Sequence, residues 1–569
     1  MQVARRAVLG FGLAAGAGVA ARAAEPRVQI ETHGATAARF QEAVAEIAAY
    51  AGQHVEAYGL PGLTLALAGP DGFTALVRLG HADVARRTPV GPDHLFQIGS
   101  ITKSLTALAA HRLIDAGSMS LDDDAADLLP ELPLPGRGFT IRRLLEHSTG
   151  LAHDVPLFPR GGGGRMWQGF QAGTRFSYSN TGYIIAAACI ARAAKRPFGE
   201  VLADTVLRPL GMTATRPLIL AVDRDRYATG YAPFYPDRPP PRAGRLEVAP
   251  WTDMTAGSGS AASTGGDMAR YLHWLIEAAN GQGAPLLSEA GRRRLFDTVI
   301  DAPGWEKGAA YGGGIARVKV AERPMLHHTG GMVSFSSAFH VDPAAGVGAF
   351  ASSNVGGLGY RPRNITAFAC QRLRAAIEGV PAPKPAAAPA PLPPREAFVG
   401  RYRSRAGELL VVEEARGGLS AVLAGRRIEL QPGGEDAFIA ADPVQAVLPL
   451  VFRRQGDAVA RAWWASVEFL RLRADGTPMD TPTPPTPPEL ERLLGTYVCD
   501  DPWRGTFHVT AEGPRLFVDG TNPLTPLPGG GYRVGEDDWS PERLAFDAPL
   551  GGQPTRAIYS GVDFLRRPT

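Results

Sequence analysis

Ser100-Ile101-Thr102-Lys103 is the stretch of this sequence best suited to covalent chemistry. A serine hydroxyl is a weak nucleophile until a neighbouring group takes its proton. Residues three apart on a helix share a face, so a helix opening at Ser100 brings the Lys103 amine to that hydroxyl. The helix start also supplies backbone N–H groups and the positive end of the helix dipole, which favour developing negative charge. The chain has only five lysines, and Lys103 alone has a serine three residues before it. An N-capping serine beside a solvated lysine would give the same tetrapeptide, so the motif needs partners.

Two further clusters offer them. In Tyr178-Ser179-Asn180 a phenol near an ammonium is pulled toward phenolate, and could pass a proton between Ser100 and a leaving group. The Asn180 carboxamide can donate to a substrate carbonyl. His328-Thr329-Gly330-Gly331 puts small residues on an edge strand, where a substrate backbone can lie close. A backbone N–H in this segment could complete an oxyanion hole with that of Ser100. His327-His328 lacks the H-E-x-x-H pattern or a matching carboxylate, so no metal is assigned. No cofactor is called for.

The elements that must position these residues show in the hydrophobic periodicity. Ser100 to Ala116 reads as a helix, apolar at Leu105, Leu108, Leu113 and Ile114 and ended by Gly117. Thr181 to Ala194 is a second, almost wholly apolar and therefore buried helix. Leu63–Ala68 and Phe73–Leu79 read as strands around Gly69-Pro70-Asp71-Gly72, a hairpin signal. Phe335–Val341 and Val347–Ser353 are strands around Asp342-Pro343. Strands at both ends with helices between them predict an α+β domain whose antiparallel sheet joins the two ends of the segment.

Composition narrows the function classes. The 569 residues are 45% hydrophobic and 20% charged, with a net charge of +3. No basic stripe marks a nucleic-acid partner. Cys189, Cys370 and Cys499 lie far apart, with no C-x-x-C pair, and the first two sit in apolar helical stretches as buried free thiols. Arg5-Arg6, the small apolar run Ala7–Ala20 and Ala21-Arg22-Ala23 read as a twin-arginine-like or Sec export signal, so the protein is expected in the periplasm. No later stretch is long and apolar enough to span a membrane. Nothing in the sequence sets the oligomeric state.

Two proline-rich stretches divide the rest. The chain separates into an export signal at 1–23, a large α+β piece at 30–378, a linker at 379–394, a small antiparallel β-barrel at 395–473, a linker at 474–488 and a second barrel at 489–569. The barrels are repeats: Phe398-Val399-Gly400-Arg401-Tyr402 aligns with Leu493-Leu494-Gly495-Thr496-Tyr497. Val467-Glu468-Phe469-Leu470-Arg471 aligns with Val562-Asp563-Phe564-Leu565-Arg566, at the same offset.

The three clusters, in this order, resemble the S-x-x-K, Y-x-N and K-T-G or H-x-G motifs of the serine β-lactamase and penicillin-recognising superfamily. Leu144-Leu145-Glu146-His147-Ser148-Thr149-Gly150-Leu151 looks like the family's "LLxHxSGL" segment. Gly117 through Leu121-Asp122-Asp123 looks like its helix-ending stretch, and Ala262-Ser263-Thr264 with Asp267-Met268-Ala269 like its "S-T-x-x-D-L-A" stretch. The resemblance implies an antiparallel sheet flanked by helices, with a helical lobe inserted. It implies a Ser100 acyl-enzyme, base duty shared by Lys103 and Tyr178, substrate held by Asn180, His328, Thr329 and Gly330, and an oxyanion hole formed by the backbone N–H groups of Ser100 and Gly331. The two barrels are similar to the D-aminopeptidase branch, where a barrel loop restricts the active site.

The expected activity is therefore hydrolysis of amides or esters in small molecules or short peptides, with D-stereospecific aminopeptidase or amidase action as the leading form. A carboxylesterase, a true β-lactamase and a non-enzymatic penicillin-recognition module are the alternatives. His328 replaces the lysine that would hold a β-lactam carboxylate. At its ordinary pKa of about 6.5 it is mostly neutral, so β-lactam turnover is expected to be poor and to rise toward pH 6.

Overall fold

The computed structural model describes residues 28–282, 286–388, 395–415, 418–434, 436–442 and 447–568. The export signal at 1–23 and residues 389–394 of the first linker lie outside the described residues.

Short apolar runs from the two ends of the large piece meet in one antiparallel sheet. Its order is Gln29–His33, Thr74–Asp83, Gly62–Ala68, Val347–Ser353, Ser336–Asp342, Arg323–Gly331, Ile315–Val320, Ala310–Gly312 and Ile300–Asp301. The ends join where Gly62–Ala68 pairs Val347–Ser353, with Leu65 opposite Ala351. Three central strands, Gly62–Ala68, Ser336–Asp342 and Val347–Ser353, are buried along their whole length because helices cover both faces. Alternation divides their side chains between two cores. Phe339, Val341 and Phe350 pack with Leu105, Leu108 and Leu272 of helices Thr102–Asp115 and Gly265–Ala279. Val347, Ala349 and Ala351 face Phe368 and Leu373 of the helix Arg363–Glu378 and Ile47 of Gln41–Tyr58. Cys189 and Cys370 are buried free thiols, as their apolar settings predict.

The helix Thr102–Asp115 is buried almost all round, between the sheet and a helical lobe that includes Ile141–Leu145 and Asn180–Ala194. Its buried hydroxyls are satisfied individually. Thr102 Oγ1 accepts from Ala261 N at 3.0 Å, and Thr106 Oγ1 donates to Gly257 O at 2.7 Å. Ser104 Oγ donates to Ile101 O and accepts from Tyr271 OH, both at 2.7 Å.

The small pieces form two closed eight-stranded antiparallel barrels, from Gly400–Ser404 to Val467–Arg471 and from Gly495–Val498 to Val562–Arg566. Their repeat extends to side-chain bonds. Tyr402 OH donates to Phe398 O at 2.7 Å, and Tyr497 OH to Leu493 O at 2.8 Å. Arg471 Nη2 donates to Val399 O at 2.7 Å, and Arg566 Nη2 to Leu494 O at 2.6 Å. The second linker is strapped to the first barrel, where Thr483 N donates to Glu468 Oε2 at 3.0 Å and Thr483 O accepts from Arg405 Nη2 at 2.8 Å.

The second barrel docks on the helical lobe. Glu542 Oε1 accepts from His153 N at 2.6 Å, Pro541 O from Trp167 Nε1 at 2.6 Å and Gly561 O from Arg160 N at 2.9 Å. A Cβ at Gly169 would lie 2.2 Å from Trp539 O, so this contact requires the absence of a side chain. Among the described residues, no helix is long and apolar enough to cross a membrane.

Candidate active site

The sequence places a helix from Ser100; the chain instead makes a 3-10 turn at Gly99–Ile101 and enters the α-helix at Thr102. Gly99 causes the turn, with φ +53. A Cβ on Gly99 would lie 2.8 Å from both N and O of Gly331, so glycine lets the two backbones touch. That contact brings the peptide of Ser100 against the end of the strand Arg323–Gly331, as a two-N–H oxyanion hole requires.

The strand is not an edge strand along its length, since it is paired on both sides. However, its register with Ile315–Val320 ends at His327 opposite Ala316, so Thr329–Gly331 run past that neighbour. On the other side Gly331 still pairs Ser336. The local opening supplies the free edge expected of this segment.

Lys103 is fully buried, and its Nζ has three oxygen neighbours: Ser100 Oγ at 3.0 Å, Asn180 Oδ1 at 2.7 Å and Ser258 O at 2.7 Å. An ammonium donates to all three. A neutral amine has two N–H groups for the two carbonyl oxygens, and its lone pair then faces the Ser100 hydroxyl. Burial lowers the Lys103 pKa from 10.5 to about 7, partly opposed by the charge of Asp154. Both forms are therefore populated near neutrality.

Tyr178 lines the same cleft as Ser100, with Lys103 Nζ 4.9 Å from the phenol ring centroid. The expected drift toward phenolate is corrected here. Burial pushes the phenol well above 10, outweighing the opposing influence of the nearby Ser100 hydroxyl, so Tyr178 rests as a neutral phenol.

Asn180 opens the helix Asn180–Ala194, and Ser179 caps it by accepting from Gly182 N at 3.1 Å. The Asn180 carboxamide is held at both ends, because Nδ2 donates to Asp154 Oδ1 at 3.0 Å. Asp154 was not foreseen in the sequence. Burial opposes its ionisation, but bonds from His153 and Asn180 and the charge of Arg504 hold its pKa at about 2.

His328 departs from its expected role. It is fully buried, with Nε2 2.8 Å from Tyr311 OH and Nδ1 2.6 Å from Thr329 O. Burial and the neighbouring Lys103 hold its pKa well below 6.5, so it does not gain charge near pH 6. Thr329 and Gly331 line the cleft, and His328 does not. Gly330 is fixed for packing: a Cβ there would lie 2.0 Å from Ile98 O.

Ser100 sits where two cavities meet, of ≈ 740 Å³ and ≈ 350 Å³. Asn180, Asp154, Gly331 and Trp503 border both. Trp503 belongs to the second barrel, whose Asp501–Arg504 turn reaches over the cleft; Arg504 Nη1 donates to Asp154 O at 2.7 Å. Arg361 lines the larger cavity beside Gly331. Its Nη1 donates to Tyr360 O at 2.8 Å, and among the described residues it has no carboxylate partner. Among the described residues no group of His, Cys, Asp and Glu is arranged to hold a metal ion.

Residues 47–369 match the family model described as beta-lactamase. Protein Rv1367c of Mycobacterium tuberculosis is 28% identical over 311 residues, 45% of this chain and 75% of that protein. The D-alanyl-D-alanine-carboxypeptidase/endopeptidase AmpH of Escherichia coli is 25% identical over 289 residues, 45% of this chain and 70% of that protein. Among solved structures, an octameric penicillin-binding protein homologue from Pyrococcus abyssi aligns with TM-score 0.54 and 22% identity. That alignment covers 75% of this chain and all of that one, and supports the fold. The chain belongs to the beta-lactamase family and is a serine hydrolase of that superfamily.

Proposed function

We propose that Ser100 attacks an amide or ester carbonyl and carries the acyl group, with Lys103 as the base that takes its proton. The observation behind this is the arrangement at Nζ, where two carbonyl oxygens fix both protons of the amine and leave its lone pair to the Ser100 hydroxyl. The neutral Tyr178 phenol is a donor, suited to protonating the leaving group, and Lys103 can restore its proton. The oxygen of the tetrahedral intermediate is assigned to the N–H groups of Ser100 and Gly331.

The substrate class we favour is a short peptide or amino-acid amide, with D-stereospecificity. The similarity to AmpH, named for action on D-alanyl-D-alanine, supports it. So does the cleft, walled in part by the Asp501–Arg504 turn of the second barrel, an arrangement that suits small substrates over long chains. Arg361 alters the expectation about charge: a fixed cation near Gly331 favours substrates with a carboxylate. That keeps carboxylate-bearing peptides, and β-lactams as a second reading, within reach despite His328. The Arg5-Arg6 leader supports export to the periplasm.

The test is Ser100→Ala, assayed on D-alanine p-nitroanilide, p-nitrophenyl butyrate and nitrocefin, with mass spectrometry after a fluorophosphonate label. Turnover and labelling should both vanish. Labelling that persists on another serine would remove Ser100 from the mechanism.

A further inference from the structure

His147, in the "LLxHxSGL" segment, is not used by the chemistry above, yet its geometry is unusual. The helix Ile141–Leu145 ends with Ser148 N donating to Arg143 O at 2.9 Å and His147 N to Leu144 O at 3.4 Å. This is a Schellman cap, and His147 holds the left-handed position normally given to glycine, with φ +58. A bulky residue there is strained, and such strain persists where the surroundings impose it for a purpose.

The surroundings are the two peptides that flank Tyr178. His147 O accepts from Ser177 N at 2.8 Å, and His147 Nδ1 accepts from Ser179 N at 3.1 Å. The imidazole is almost wholly buried and tilted against the Tyr178 ring, with centroids 4.2 Å apart. Because a backbone N–H must donate, Nδ1 carries the lone pair and the ring proton sits on Nε2. Among the described residues His147 Nε2 has no hydrogen-bond partner, and the Tyr183 and Tyr311 rings lie 5.0 and 4.9 Å away.

We infer that His147 is a positioning residue for Tyr178, a neutral clamp that fixes the phenol against Ser100 from both sides of the chain and from the ring face. This rests on the reading of Ser100 and Tyr178 given above. The imidazole touches neither Ser100 nor the cleft, and the left-handed backbone aims it back at the segment 177–179 instead of outward. A slack Tyr178 would bind substrate as before but deliver its proton poorly, so the effect falls on kcat and on the rate of Ser100 labelling.

The experiment combines His147→Ala, His147→Asn and Tyr178→Phe, alone and in pairs, with kcat, KM and fluorophosphonate labelling measured on the full chain. Asparagine tolerates the left-handed backbone and offers Oδ1 where Nδ1 accepted. His147→Ala should lower kcat by about 10- to 100-fold, as small misplacements of catalytic groups do, with KM within about twofold. His147→Asn should recover most of that loss. In the Tyr178→Phe background His147→Ala should cost less than about threefold, since two residues acting as one unit are not additive. A full additional loss in that background, or unchanged kcat in His147→Ala, overturns the inference. If His147→Ala does not fold, His147→Asn and His147→Leu carry the test, because only asparagine accepts the Ser179 N–H. Equal activity of those two overturns it. Ser100→Ala serves as the separate control: activity surviving there fails the Ser100 assignment, whatever His147 does.

Discussion

Acylation by this protein should have an acid limb near pH 7, set by Lys103. Its Nζ is fully buried, and burial brings the pKa from 10.5 to about 7. At about 1.36 kcal/mol per pH unit, that is a cost of about 5 kcal/mol for holding the charged form. At pH 7.5 an ordinary lysine is about 0.1% amine, whereas Lys103 is about 75% amine, a gain of roughly 700-fold in available base. From pH 8 to pH 6 the amine fraction falls about tenfold, and kcat/KM should fall with it. The assay is hydrolysis of a p-nitroanilide from pH 5.5 to 9, paired with the fluorophosphonate labelling rate over the same range. Lys103→Arg should be inactive throughout, because a guanidinium does not deprotonate in this range. The same shift acts on stability. The unfolded chain binds the Lys103 proton up to about pH 10 and the folded chain only up to about pH 7, so this group's contribution rises with pH between those values and is constant below pH 7. A flat rate profile from 5.5 to 8.5, or a limb near pH 10, would show that Lys103 is not the base described here.

Three other outcomes follow from the groups around the cleft. Arg361→Ala should raise KM for carboxylate-bearing substrates, peptides and nitrocefin alike, by roughly 10- to 150-fold, the loss of one charge-assisted contact, while leaving p-nitrophenyl butyrate within about threefold. Nitrocefin hydrolysis by the unaltered protein should decline, not rise, from pH 7.5 to 6, because His328 stays neutral and Lys103 gains a proton; a rise would restore His328 as a titrating carboxylate ligand. Trp503→Ala should merge the two arms above Ser100 and raise kcat/KM for a tetrapeptide relative to an amino-acid amide by about 10-fold. An unchanged ratio would make the second barrel a spacer and not a wall of the site.

Much of the candidate site was legible because its groups are held by short-range geometry. Ser100 and Lys103 are three residues apart, and Tyr178 and Asn180 sit at a capped helix start, so local spacing was enough to propose them. The sheet joining both ends followed from apolar runs such as Val347–Ser353, and the barrels from a repeat whose tyrosine and arginine bonds recur in both copies. What sequence missed depends on long-range placement. Asp154, Arg361, Ser258 and Trp503 belong to four segments far apart in the chain, and nothing local marks them as neighbours of Ser100. Protonation was also misjudged, for Tyr178 and His328 alike. Partner charges can be guessed from motifs, but here burial is the largest cause of both shifts, and burial is a property of the assembled fold.

On the proposed reading, the assembled fold separates two duties that one mobile charge could not serve together. A base must lose its proton near the working pH, and burial brings Lys103 into that range although its carbonyl acceptors and the charge of Asp154 favour the ammonium. A charge that recognises a carboxylate must persist at every working pH, and a guanidinium does so even where burial lowers its pKa, as at Arg361. A lysine at position 328 would stand beside Lys103, and its positive charge would push the base's pKa lower still, in competition for the same dry site. Histidine, neutral and bonded to Tyr311 OH and Thr329 O, keeps the packing of that strand and adds no charge. The fixed cation lies instead at Arg361, beside Gly331. Substrate binding can then remain constant while the acylation rate follows the proton on Lys103.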